Sequence, residues 1–203
     1  FDISNNLISF NKNNSFKQIS TIINDLNSGK SVALVSDAGM PSICDPGEDL
    51  VKNAKDNGFS VICIPGPCAA LTALVSSGLP ASKFIFEGFL SKKKSERKEL
   101  FSEISKNNKT TIFFESPKRL KTSLNELKEC CGGKREIQVF RELTKKFEEH
   151  IGNNIDEVIA FFEEKTILGE LTIVVKGINK NKNKEDFNQK ELREELCELT
   201  NAG

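Results

Sequence analysis

The sequence predicts an α/β protein. Two apolar runs, Val32-Ala33-Leu34-Val35 and Val61-Ile62-Cys63-Ile64, each read as a buried strand that leads through a Gly/Pro-rich loop into a helical pattern. Further strand-like and helix-like runs alternate between residues 84 and 176. Consecutive β-loop-α units build sheets with helical crossovers, which is the architecture expected here.

Each element has its own signal. Ile19, Ile22, Ile23 and Leu26 form the stripe of an amphipathic helix, with Ser15 and Gln18 spaced as a capping box and Gly29 as a stop. A strand over 31–36 follows. The stretch Ser36-Asp37-Ala38-Gly39-Met40-Pro41-Ser42-Ile43-Cys44-Asp45-Pro46-Gly47 then holds too many Gly, Pro and Asp residues for strand or helix, so it reads as a shaped loop at a strand's carboxyl end. A helix carrying Leu50, Val51 and Ala54 ends at Gly58, and the second apolar run enters Pro65-Gly66-Pro67 and a small-residue helix from Ala69 to Ser76.

Beyond Gly78-Leu79-Pro80 the pattern predicts strands over 84–89, 110–114, 136–141 and 171–176. Between them lie a helix presenting Leu100, Phe101 and Ile104, one with Leu120, Leu124 and Leu127 closed by Gly132-Gly133, and one with Val158, Ile159 and Phe162 capped by Asn154 with Glu157. The expected organisation is an N-terminal α/β domain over 1–80 and a second over 81–177 whose strands are mixed in direction. Residues 178–203 read as a polar linker and a partial helical tail with Leu192, Leu196 and Leu199 in register. The chain opens at Phe1 and stops inside that helical pattern, so it reads as a piece of a longer protein.

Composition narrows the function. Of 203 residues, 29 are basic and 29 acidic, so nucleic-acid binding must come from local patches rather than overall charge. No apolar run is long enough to span a bilayer, and no signal-peptide pattern is present. The six cysteines form no C-x-x-C pair and read as reduced, mostly buried thiols; with one histidine, His150, at no familiar spacing from them, no metal site is expected. His150 itself reads as polar surface.

Six sequence blocks occur in order: V-A-L-V-S-D-A-G-M-P-S-I-C-D-P-G, P-G-P-C-A-A-L-T-A-L, F-E-G-F-L, F-F-E-S-P-K-R-L, R-E-L-T-K and G-E-L-T-I-V-V-K-G. Together, over about residues 8–177, they resemble the tetrapyrrole-methylase-fold (class III) methyltransferases that use S-adenosylmethionine. They look most like the bacterial enzymes of that fold that methylate a cytidine ribose 2′-hydroxyl in 16S rRNA. The resemblance implies two α/β domains with S-adenosylmethionine in the cleft between them, a cytoplasmic homodimer, and the small ribosomal subunit as partner. It also implies that the family's opening strand, with its T-P-I-G-N-type loop, and the later E-D-T-R are missing here; with them go one wall of the cofactor site and one candidate acidic group. Met40 stands where most of these rRNA enzymes carry Thr.

Carried onto this sequence, the resemblance implies cofactor-binding roles for Ser36, Asp37, Ala38, Gly39, Pro41 and Asp45 in the first loop. It does the same for Pro65, Gly66, Pro67, Cys68 and Ala69 in the second, and for Phe114, Glu115, Leu143, Gly169, Glu170 and Leu171 in the second domain. The residues themselves leave Pro65-Gly66-Pro67 open to a plainer role, turning a strand into a helix. Cys68 reads as a small packing residue rather than a nucleophile, as no partner base is visible.

Methyl transfer from a sulfonium is an in-line displacement, and aligning donor and acceptor can contribute on the order of 7–11 kcal/mol. A ribose hydroxyl is a poor nucleophile, so a base or a polarising cation near it should help. Asp37, Glu115, Glu142 and Lys145 are the candidates, with Arg141 as a phosphate or carboxylate clamp. Each could equally be a structural ion-pair partner. Lys92, Lys93, Lys94 and Arg97, with Lys98, read either as a solvated face or as contacts to RNA phosphates. Lys118, Arg119 and Lys121 read as a solvated helix face. The alternatives are a methyltransferase of the same fold acting on a corrinoid, sirohaem or diphthamide precursor, and a non-catalytic nucleotide- or RNA-binding module. A dinucleotide-binding fold is disfavoured because no G-x-G-x-x-G follows either early strand.

Overall fold

The computed structural model describes residues 4–179, in two compact units divided between Ala69 and Ala70. The expected linker beyond Asn179, the terminal helix and Cys197 lie outside the described residues.

The first unit is built from two helices, α1 (Ser15–Asn27) and α2 (Glu48–Asp56), with long loops. Ile22 of α1 and Leu50 and Ala54 of α2 are its buried apolar residues. Both helices stop at the glycines the sequence marked. The amide of Gly29 donates to Leu26 O and that of Lys30 to Asp25 O, while Gly58 and Phe59 donate to Lys55 O and Ala54 O in the same arrangement. Left-handed φ values of +83° and +80° at Gly29 and Gly58 make both terminations possible. The start of α1 differs from expectation. Asn14 rather than Ser15 occupies the cap position, with no side-chain cap bond, because an asparagine turn over Asn11–Asn14 delivers the chain one residue earlier.

The two apolar runs expected as buried strands, 31–36 and 61–64, do not enter a sheet. Val35, Ile62 and Ile64 are more than 70 % exposed, as 75 %, 79 % and 78 %. An apolar run specifies extended backbone and a preference for burial, but a strand exists only where a neighbour pairs its amides and carbonyls, and no described segment does so here. Cys63 is exposed with its run, against the expectation of mostly buried thiols.

The second unit holds a five-stranded sheet in the order β1-β2-β5-β3-β4, with β1 Phe84–Phe89, β2 Thr110–Glu115, β3 Glu136–Arg141, β4 Glu149–Asn154 and β5 Leu171–Val175. A short helix, α3 (Ala69–Ser76), precedes it, so Pro67 lies before the helix rather than in its first turn. Helix α4 (Lys94–Lys106) crosses over between parallel β1 and β2. Helix α5 (Pro117–Cys131) leads from β2 to β3, and α6 (Ile155–Phe162) from β4 towards β5. The last strand inserts antiparallel between β2 and β3, so the sheet is mixed as expected.

Central β5, Leu-Thr-Ile-Val-Val, is buried at every position, as a strand covered on both faces must be. Its Leu171, Ile173 and Val175 share a core with Phe113, Ile137 and Val139 and with Phe101, Leu124, Leu127 and Val158 of the helices. Strand β4 is an addition to the sequence reading. Its residues Glu-His-Ile-Gly-Asn-Asn carry one buried apolar side chain, Ile151, which pairs with Val139. Such a strand is specified by its partner more than by its own composition. No helix among the described residues is long and apolar enough to cross a membrane.

Candidate functional site

In the first unit, the loop after residue 35 and the Pro65-Gly66-Pro67 turn come together. A Cβ on Gly39 would stand 3.5 Å from the Pro67 carbonyl oxygen, and one on Gly66 would stand 3.5 Å from Met40 Cγ. The Ser36 hydroxyl donates within its own loop, 2.8 Å from Gly39 O, and Gly39 itself takes φ +77°. Ser42 and Cys44 are also left-handed, at +69° and +63°. Gly47 ends the loop at φ +155°, where a side chain would run into Ser42 Oγ and come within 2.8 Å of Leu34 Cδ2. The path is thereby dictated by residues whose only alternative is strain.

Much of the loop faces solvent. Asp37, Ala38, Gly39 and Asp45 are exposed, as are Pro65, Gly66, Pro67 and Ala69, while Pro41 and Cys68 are half-buried. Helix α3 begins directly after this turn, and its first amides have no carbonyl partner within the helix.

In the second unit, three expected blocks align on one end of the sheet. Glu115 at the end of β2 pairs across to Leu171 at the start of β5, and Leu171 pairs on the other side to Arg141 at the end of β3. The antiparallel insertion of β5 makes this possible, since its beginning meets its neighbours' ends. Phe114 lies half-buried beside Glu115, with its ring edge-on to Phe86 and Phe89 at 5.1 and 5.2 Å.

Around this end runs the Glu142-Leu143-Thr144-Lys145 turn, with Glu142 and Thr144 left-handed at φ +52° and +65°. The Glu142 amide donates to Glu170 O at 2.9 Å, and the Glu170 amide returns a bond to Glu142 Oε1 at 2.8 Å. Lys145 Nζ joins both carboxylates, at 2.9 Å from Glu142 and 3.0 Å from Glu170. The Glu170 amide and then Lys145 hold the Glu142 carboxyl below its usual value, while the two glutamates, Glu142 first, raise Lys145. At neutral pH the pair is therefore an anion and a cation locked together. A lowered carboxyl is a weak proton acceptor and a raised ammonium already holds its proton, so this pair supplies charge and shape rather than a base.

Three expectations are corrected. Glu115, a candidate base and cofactor contact, is 2 % exposed. Its Oε1 accepts from the Ser116 amide at 2.6 Å and pairs with Arg119 at 2.7 Å, and its Oε2 accepts from Ser123 Oγ at 2.6 Å. A buried carboxylate must be satisfied internally, and this one anchors the start of α5. Arg97, grouped with the RNA-facing lysines, is 7 % exposed and forms two bonds to Glu126, at 2.8 and 2.9 Å. It faces inward because α4 turns that position towards α5. Arg119, read as solvated, also folds inward, donating to the carbonyls of Leu90 and Ser91.

Lys92, Lys93 and Lys94 are exposed, with Lys93 bonded to Glu96 at 2.8 Å. Arg141 is paired with Glu149, its register partner on β4, at 2.9 Å. The long-range partner Glu126 escaped the sequence reading, since nothing in a local pattern marks a pair 29 residues apart.

Residues 8–159 match the family model for tetrapyrrole (corrin/porphyrin) methylases. A Thermotoga maritima protein named ribosomal RNA small subunit methyltransferase I is 45 % identical over 177 residues, spanning 87 % of this chain and 79 % of that protein. Proteins of the same name from Bacillus subtilis and Streptococcus pyogenes are 46 % and 44 % identical over 88 % and 87 % of this chain. The chain spans 61 % of the length of each of these two relatives. Among solved structures, the methyltransferase CobJ superposes with a TM-score of 0.60 at 17 % identity, covering 79 % of this chain and 70 % of that one. A Thermus thermophilus uroporphyrin-III C-methyltransferase complexed with S-adenyl homocysteine gives 0.52 at 17 %, covering 79 % and 72 %. At that identity the likeness is one of fold.

Proposed function

This chain belongs to the tetrapyrrole (corrin/porphyrin) methylase family, and we propose that its protein is an S-adenosylmethionine-dependent methyltransferase acting on small-subunit rRNA. The reading extends to the ribose 2′-hydroxyl of a cytidine in 16S rRNA, with the protein a cytoplasmic homodimer. One observation carries it: 43–46 % identity, over 177–179 residues, to proteins named ribosomal RNA small subunit methyltransferase I. The tetrapyrrole enzymes match at 14–18 %, which supports a shared fold and no shared substrate.

S-adenosylmethionine brings its methyl group already activated on a sulfonium, so the protein's work is alignment and proton handling. The exposed residues Ala38 and Gly39, the Pro65-Gly66-Pro67 turn and the first amides of α3 suit a ligand with many polar groups, and the left-handed φ of +77° at Gly39 is one that a side chain would strain. In the second unit Phe114, Leu143, Gly169, Glu170 and Leu171 share one sheet end and offer backbone groups beside an apolar ring. Asp37, exposed on its loop, is the proton acceptor in this reading, since Glu115 is sealed inside the fold and Glu142 is neutralised by Lys145. Lys145 is the polarising cation in this reading and Arg141, beside Glu149, the clamp.

The test is tritium transfer from labelled S-adenosylmethionine to undermethylated small subunits by the full-length protein, with calorimetric titration of S-adenosylhomocysteine alongside. Saturable binding and label at a cytidine ribose are expected. Asp37→Asn should slow transfer by about 10²–10⁴-fold with cofactor affinity little changed. No binding of the cofactor product by the full-length protein would overturn the reading.

A further inference from the structure

We propose that Phe89 and the loop bearing Lys92 and Lys94 form a platform for a single-stranded RNA segment, held in shape by Arg97 and Arg119. This rests on the rRNA reading above and names a contact surface for that substrate. The loop follows edge strand β1, whose Phe89 is in register with Phe114 at the same end of the sheet.

The backbone of the loop is clamped from inside. Arg97 Nη1 donates to the carbonyls of Ser91 and Lys92 at 3.0 and 2.9 Å, and Arg119 donates to those of Ser91 and Leu90, both at 3.1 Å. The two guanidiniums are in turn fixed by carboxylates in the fold, Glu126 for Arg97 and Glu115 for Arg119. Three consecutive carbonyls are thus held by four charged hydrogen bonds. Ser91 Oγ adds a bond to Glu96 at 2.6 Å and accepts from the Lys93 amide at 3.2 Å. A loop whose only task is to stay solvated gains nothing from such internal scaffolding, which costs the burial of Arg97 and the partial burial of Arg119. A loop that must meet a ligand gains affinity from it, because the ordering cost is met before binding.

The side chains displayed on this frame are basic and aromatic. Lys92, Lys93 and Lys94 point to solvent, and Glu96 occupies only Lys93. Immediately before them, Phe89 is 63 % exposed on the edge strand. A bulge between Phe86 and Phe89, with Gly88 at φ +66°, turns its ring outward, and Phe114 backs it edge-on at 5.2 Å. Leu90, buried at 3 %, pins the next position. An oriented aromatic face beside fixed lysines is the combination that binds single-stranded nucleic acid: bases stack on the ring, and lysines meet phosphates. A segment with unstacked bases is therefore the expected partner, rather than a regular duplex.

The test is fluorescence anisotropy of the full chain with a labelled single-stranded RNA of about 12 nucleotides, within the usual site sizes. Phe89→Ala should weaken binding by about 5- to 150-fold while leaving the salt dependence unchanged, and Phe89→Tyr should restore it. Lys92→Ala and Lys94→Ala should each reduce the slope of log K against log salt by about 0.7. Arg119→Lys should weaken binding and flatten that slope, whereas a purely structural role would lower the melting temperature and leave the slope alone. Unchanged affinity and slope in the Phe89, Lys92 and Lys94 variants would overturn the proposal. So would loss of self-association without loss of RNA binding, which would make the surface a contact between copies. RNA binding is read without any methyl donor, so this outcome stands apart from failure of the methyltransferase reading, which shows as absent cofactor binding.

Discussion

Gly169 lies so close to Glu142 that a Cβ on the glycine would stand 2.5 Å from Glu142 Cγ. The same glycine has φ +90°. Residues 27 positions apart in the chain are thus fitted to each other at the sheet end, and the fit aims the Glu142 carboxylate at the Glu170 amide and Lys145.

Gly169→Ala should break this fit. The left-handed backbone alone costs an alanine about 1–2 kcal/mol, and the new methyl displaces Glu142 from the Glu170 amide. A lower urea midpoint with an unchanged m-value is expected, together with weaker binding of S-adenosylhomocysteine. An unchanged midpoint would contradict both the backbone cost and the fit to Glu142.

The Arg97–Glu126 pair is 8 % and 11 % exposed at its side chains. Glu126→Ala leaves a buried guanidinium without its carboxylate, and should destabilise the protein by about 3 kcal/mol, the low end for buried pairs because both side chains keep some solvent. Replacing both residues with apolar ones of similar volume should recover most of that loss. Thermal unfolding of the single and double variants separates the cost of an orphaned charge from the pair's own contribution.

Acid should weaken the fold. Arg97 holds the Glu126 carboxyl below its usual 4.5, and the Glu170 amide does the same for Glu142. The folded chain therefore binds fewer protons at these groups than the unfolded chain, so their stabilisation is present above about pH 4.5 and disappears as pH falls through the lowered values. Glu87, raised chiefly by burial, works in the opposite sense and offsets part of the loss. At the alkaline end, burial pushes Cys131 from 9.0 up to about 11. The unfolded thiol ionises first, so stability should decline as pH rises from about 9 to about 11. Urea midpoints at pH 3.5, 7 and 10 check both limbs; equal values throughout would contradict the charge environments described here.

Much of the fold is legible in the sequence. The stripe at Leu120, Leu124 and Leu127 located α5, Gly132 its end, and Asn154 with Glu157 the cap of α6, because helices are specified by local periodicity and local hydrogen bonds. The alternation in Glu136–Arg141 and the unbroken apolar run of β5 marked strands for the same kind of reason. Strand β4 was not visible, since Gly152, Asn153 and Asn154 disfavour strands and only pairing with β3 makes them one. The runs at 31–36 and 61–64 failed in the opposite direction, carrying strand composition without a pairing neighbour.

The site divides along the same line. The sequence by itself determined the family's blocks, through the order of six motifs, and these include the glycines at 39 and 169 where the backbone turns left-handed. It also determined family, because 45 % identity over 177 residues is a property of the chain alone. Only the tertiary structure decided which charged residues face outward. Glu115 and Arg97 looked like their exposed neighbours in sequence, yet each is sealed by a partner, Arg119 for the one and the distant Glu126 for the other. The physical reason is that a motif specifies backbone path over a few residues, whereas burial of a charge depends on a countercharge that another element brings to it.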